Sequence, residues 1–233
     1  MTSIEEIRKE LKALANEPRA RVSQRFFKTG PGEYGEGDVF IGVTVPQSRQ
    51  VAKAHYRSME LAAVKKLLQS RIHEERMVAL LILVHKFESG EKGIADFYLR
   101  HLQSVNNWDL VDLSAPCILG AHLSRRSRSL LYKLARSESL WERRIAIVST
   151  YHFIRNKEFD DTLKIALILI NDRHDLIQKA VGWMLREVGK RDEGLLEKFL
   201  SVHHSKMPRT MLRYAIERLP EKKRKYYLSR EVS

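Results

Sequence analysis

From Pro46 onward, apolar residues recur every three to four positions with almost no interruption, in segments of about 11 to 17 residues separated by short polar turns. That period predicts helices, and no stretch alternates apolar and polar residues as a half-buried strand would. The beginning of the chain reads the same way. Ser3 with Glu6 makes a capping box for a helix to about Ala15, and Pro18 fits the first turn of a second helix to about Thr29. Gly30-Pro31-Gly32-Glu33-Tyr34-Gly35-Glu36-Gly37-Asp38 follows. It lacks the Gly-Lys-Ser/Thr ending of a phosphate cradle, and its two glutamates would repel phosphate, so a surface loop is expected. The apolar run Val39-Phe40-Ile41-Gly42-Val43 has no partner strand and is expected to pack as an extended connection. At the other end, Ser205 to Arg209 opens a helix to about Leu219, which Pro220 ends, and residues 221–227 form a basic run.

Within the helical part a signature recurs: His-Glu-Glu-Arg-Met-Val-Ala-Leu-Leu at 73–81, Trp-Glu-Arg-Arg-Ile-Ala-Ile-Val at 141–148 and Ile-Gln-Lys-Ala-Val-Gly-Trp at 177–183. Its cations Arg76, Arg144, Lys179 and Arg213 are separated by 68, 35 and 34 residues, and 68 is two periods of 34 with a midpoint at Leu110. This spacing is that of stacked helix pairs, none of which can bury its apolar face alone. The expected fold is therefore all-α, a curved solenoid of antiparallel helix pairs forming one domain over residues 1–233. Its inner helices would carry Arg143, Arg144 and Lys179 along one concave surface.

The formal charge of +13, from 42 Lys and Arg against 29 Asp and Glu, points to a polyanionic partner. Nucleic acid comes first. A membrane is disfavoured, since no apolar run approaches the roughly 20 residues needed to span one. The opening residues lack the basic and apolar regions of a secretory signal, which makes the cytoplasm the expected location. Cys117 is the single cysteine, His73-Glu74 has Met77 where a zincin needs its second histidine, and neither a metal site nor a cofactor is expected.

One stretch carries chemistry as well as pattern. In Asn106-Asn107-Trp108-Asp109-Leu110-Val111-Asp112 the asparagines offer a cap and Asp109 suits the first turn, so a helix should start here with Trp108 and Asp112 four residues apart on one face. Lys179 and Trp183 repeat that spacing, and with Arg144 these groups are expected to meet along the concave wall. Trp141 is read as core or helix-end packing.

These residues resemble the AlkD-type DNA alkylation repair glycosylases, a family of HEAT-like repeat proteins. The resemblance runs over nearly the whole chain and is carried by residues 108–112, 141–147 and 179–187. It implies that Asp112 is the catalytic carboxylate, that Trp108 and Trp183 flank the damaged nucleotide, and that Arg144 contacts DNA beside the lesion, with Arg143, Lys179 and Arg186 as further DNA contacts. It implies hydrolysis of the N-glycosidic bond of purines alkylated at N3 or N7 in double-stranded DNA, without base flipping. A solenoid with helical caps at both ends can stand alone, so a monomer is expected, associated with the nucleoid through DNA. The family's N-terminal aromatic contact falls near Phe26 and Phe27. The competing reading is a non-catalytic repeat protein that binds damaged or distorted nucleic acid. Against it stands Asp112, since a carboxylate facing phosphates would repel them.

Overall fold

In the computed structural model, which describes residues 3–229, the hydrophobic period is realised as helices throughout, with no strand among the described residues. The chain divides into two compact units, the first ending at Ser114 and the second beginning at Ala115.

In the first unit, α1 (Ile4–Leu14) starts at the expected capping box: Ser3 accepts from the Glu6 amide and Glu6 reaches back to the Ser3 amide. The second helix, α2 (Glu17–Phe26), is capped by Asn16 and has Pro18 in its first turn. It ends three residues before the expected Thr29, because Lys28 takes a left-handed conformation with φ of 50°. The loop from Gly30 then leads into residues 39–43. As expected, this run is an extended connection, and its one isolated bridge among the described residues forms where the Val39 amide donates to the Arg71 carbonyl and the His73 amide to the Val39 carbonyl. Gly42 is required where it stands. Its φ is +80°, and a β-carbon there would lie 2.1 Å from the Asn16 carbonyl oxygen.

Helices α3 (Val45–His55) and α4 (Leu61–Leu68) pack on α5 (His73–Glu88), which is buried from His73 through Val84. A helix apolar around its whole circumference must lie inside, and α5 is the axis of this unit. After α6 (Ile94–Arg100), the last helix, α7 (Trp108–Ser114), also packs on α5. α7 begins where the sequence predicts. The Asn107 carbonyl accepts the first helical bond, from Val111, and its side chain accepts from the Trp108 amide at 2.8 Å.

The second unit opens with a single π-helical turn, Pro116–Gly120, whose Gly120 amide reaches five residues back to the Ala115 carbonyl. α8 (Ala121–Leu123) and α9 (Ser129–Leu134) follow, then α10 (Leu140–Ser149) and α11 (Tyr151–Arg155). Several of these are shorter than the 11 to 17 residues expected. Between α10 and α11 the reason is local: the Thr150 hydroxyl bonds back to the Ile147 carbonyl at 2.6 Å and breaks the helix ladder. α12 (Asp160–Ile168) leads to α13 (Asp175–Gly189), the axis of this unit, against which α10, α14 (Glu193–His203) and α15 (Arg209–Ile216) pack. Gly182 allows the α13–α15 approach, since a β-carbon there would lie 2.4 Å from the Met211 carbonyl oxygen. The basic run forms α16 (Glu221–Ser229).

Candidate functional site

The half-buried side chains of Trp108 and Asp112 lie one turn apart on α7, so an indole and a carboxylate occupy the same face of a helix whose opposite side, Leu110 and Val111, is buried. Trp108 is not a loose surface ring. Its ring centroid lies 5.1 Å from that of Phe27 with the planes 7° apart, Phe27 stacks on Phe40 at 4.7 Å, and Phe40 stacks on His73 at 4.3 Å. A row of four rings thus runs from the buried start of α5 to the indole. Phe26, 64% exposed, meets Trp108 edge to face at 5.9 Å.

Behind the row lies a polar cluster that sequence reasoning missed. His73 is 1% exposed; its Nδ1 sits 3.1 Å from Asp38 Oδ2 and its Nε2 2.8 Å from Asp109 Oδ2. Arg76 Nη2 pairs with the same Asp38 oxygen at 2.6 Å, and Asn107 Nδ2 donates to it at 3.4 Å. Both ring nitrogens face carboxylates, and both can donate only if the ring is an imidazolium. Burial pushes the His73 pKa down, but the hydrogen bonds to Asp109 and Asp38 outweigh it and hold the value above the ordinary 6.5. Asp38 is likewise pushed up by burial and held below 3.8 by His73 and Arg76. Two acids and two bases balance in a site where an unpaired charge would be strongly disfavoured.

This cluster changes two sequence expectations. Asp109 takes its first-turn place, but one oxygen accepts from His73 while the other accepts only from the neighbouring Leu110 amide. The 30–38 loop is exposed for much of its length, yet it ends by delivering Asp38, 5% exposed, into the cluster. Arg76, taken from the repeat signature, is 4% exposed and belongs to this cluster too. A signal for it existed. Four consecutive polar residues, His73 to Arg76, open a helix that is otherwise apolar all round, and such residues can be buried only in pairs.

The remaining candidates lie in the second unit. Arg144 on α10 is 5% exposed and donates from Nη1 to the Leu176 carbonyl at 2.6 Å. Arg143 pairs with Asp172 at 2.7 Å and donates to the Ser137 and Glu138 carbonyls. Lys179 pairs with Asp175 at 2.6 Å one turn away on α13, and Arg186 pairs with Glu217. Trp183 is half-buried, its ring 5.9 Å from that of Tyr151. The helices bearing Arg144 and Trp183 are packed neighbours. No helix among the described residues is long and apolar enough to cross a membrane.

An all-helical chain with an indole and a carboxylate displayed together on a braced helix, and a large excess of positive charge, fits a class of protein that works on a polyanion. The comparison with known families is specific. Residues 7–219 match the family described as DNA alkylation repair enzyme, and the chain belongs to that family. A solved structure, a predicted DNA alkylation repair enzyme from Enterococcus faecalis, shares its fold with a TM-score of 0.71 at 17% identity, over 89% of this chain and 97% of that one. No curated protein matches this chain.

Proposed function

We propose that this protein is a DNA glycosylase that hydrolyses the N-glycosidic bond of N3- and N7-alkylated purines in duplex DNA, acting as a monomer and without flipping the base into a pocket. The observation that carries the reading is α7 itself. In a chain of the DNA alkylation repair enzyme family, Trp108 and Asp112 share one face of a helix whose first turn is anchored by a buried ionic cluster.

The chemistry asks little more of the protein. Alkylation at N3 or N7 makes the base cationic, so it departs neutral with the bonding pair and needs no general acid. The deoxyribose is left with oxocarbenium character. The Asp112 carboxylate stabilises that charge and orients a water toward the anomeric carbon; the new C–O bond forms as the C–N bond breaks, and the water's proton passes to the carboxylate or to solvent. The indole face of Trp108 adds attraction to the cationic sugar, on the order of 0.5–2 kcal/mol. Selectivity then rests on the lability of the alkylated nucleotide and on duplex distortion rather than on a pocket for an extruded base.

Arg144, Arg143, Lys179 and Arg186 are assigned to the DNA backbone in this reading. Each already pairs within its own unit, so phosphate contact means sharing or exchanging a partner. Arg144→Ala is therefore expected to do two things. It weakens binding to lesion DNA and flattens the salt dependence by about one counterion. It also destabilises the second unit by roughly 1.5–3 kcal/mol, as the part-buried charge-assisted hydrogen bond to the Leu176 carbonyl is lost. Titration of labelled duplex at several salt concentrations and urea denaturation measure the two effects, and an unchanged salt slope would remove Arg144 from the interface.

The direct test is incubation of the protein with methylated duplex DNA and chromatography of the freed bases. Release of 7-methylguanine and 3-methyladenine is expected. Tight binding to the same duplex with no base released would overturn the reading in favour of a damage-binding protein.

A further inference from the structure

We infer that His73 is a positioning residue for α7: clamped between Asp38 and Asp109, it fixes the first turn of that helix and thereby the placement of Trp108 and Asp112. The catalytic consequence rests on the function proposed above; the structural coupling does not.

Three consecutive residues at the start of α7 are tied to the cluster. Asp109 is held by His73 Nε2 at 2.8 Å. Asn107, fully buried, joins Asp38 to the Trp108 amide through its two side-chain atoms. Trp108 is reached a second time through the Phe27 and Phe40 rings, the latter stacked on the His73 imidazole. A small displacement of His73 is therefore transmitted to the indole by two routes. Asp112 follows because it lies one rigid turn further on.

The charged groups facing the ring are Asp38 from the loop, Asp109 from α7 and Arg76 from its own helix. Of the other helices packed on α5, α1 presents Arg8 to Glu75 at 3.1 Å, and α3 presents His55 to Glu10 at 2.8 Å, so their charges are directed elsewhere. Loss of the His73 proton leaves two carboxylates against one guanidinium. A neutral ring has one N–H and can keep only one of its two carboxylate bonds. Nδ1 would then turn acceptor toward Arg76 Nη2, 3.4 Å away, in competition with the 2.6 Å contact between that nitrogen and Asp38. The sign follows from the raised value. The clamp is complete below the ordinary pKa of 6.5 and is lost as pH rises through the higher folded-state value.

The test uses the full chain labelled with 5-fluorotryptophan, with the Trp108 resonance assigned by Trp108→Phe. On raising the pH, the Trp108 fluorine signal is expected to move with a single proton whose midpoint equals that of His73 followed by imidazole NMR, and the single-turnover rate of base release is expected to fall at the same midpoint. His73→Gln should abolish the Trp108 titration and slow base release about tenfold, through misplacement rather than lost binding. Adding Asp38→Asn restores charge balance and should recover at least part of the rate. A Trp108 signal indifferent to His73 ionisation, or a folded His73→Gln variant with the wild-type rate and pH profile, would overturn the inference. Absence of base release from the wild type would sink the glycosylase reading alone, since the fluorine titration still decides the coupling. Should His73→Gln fail to fold, the wild-type titration decides it as well.

Discussion

Asp112→Asn is expected to abolish detectable release of 7-methylguanine from methylated duplex, a loss of at least about 10²- to 10³-fold from removal of one preorganised electrostatic group. The substitution keeps the shape of the side chain and removes its charge, so α7 should keep its packing on α5. Affinity for the duplex should stay within a few fold, read at constant salt by fluorescence anisotropy; removing a negative charge from the protein favours slightly tighter binding to a polyanion. The control is Asp109→Asn on the same helix. That change removes a charged partner from a ring that is 1% exposed, and its main effect should be on stability. The two carboxylates, three residues apart, thus separate by what they damage first: Asp112 the rate, Asp109 the stability. Full activity in Asp112→Asn would remove that residue from the mechanism.

How far the sequence reveals this site depends on the distance over which each residue finds its partners. The cap at Ser3 and Glu6 is written within four residues, and it forms as read. The start of α7 at Trp108 is equally local, because Asn107 supplies both the carbonyl and the side chain that begin the helix. The buried cluster is different. His73 finds Asp38 35 residues away and Asp109 36 residues away, and Asn107 finds Asp38 at a separation of 69. No local period encodes those pairings, so Asp109 reads as a capping residue and the loop carrying Asp38 reads as surface. The cation spacing behind Arg76 and Arg144 is real in the sequence, but it does not say where a side chain points. Both guanidinium groups are buried, one against Asp38 and the other donating to the Leu176 carbonyl. Fixed positions along repeated helices fix the side chain's origin only. Its direction is decided by whichever acid or carbonyl the next element brings within reach.

The second large effect concerns Glu74, to which the proposed mechanism gives no role. Its carboxylate is 3% exposed and accepts from three successive backbone amides, those of Ile41 at 3.1 Å, Gly42 at 2.8 Å and Val43 at 3.3 Å. It replaces the partner strand that residues 39–43 lack, and so fixes the run that places Asp38 and Phe40 beside His73. Glu74→Ala would leave these amides, two of them on the buried residues Gly42 and Val43, without their acceptor. At about 1–3 kcal/mol for each stranded buried donor, and with some relaxation, the expected loss is roughly 3–5 kcal/mol, a large share of the total stability of an ordinary domain. Glu74→Gln separates the possible causes. It keeps one acceptor oxygen but turns an NH₂ group toward backbone donors, so it should fall between wild type and alanine if hydrogen bonding dominates, and match wild type if only side-chain volume matters. Urea denaturation followed by circular dichroism gives the ordering directly. Because the run carries Asp38, Glu74→Ala should also blunt the His73-linked change at Trp108, even under conditions where the variant remains folded.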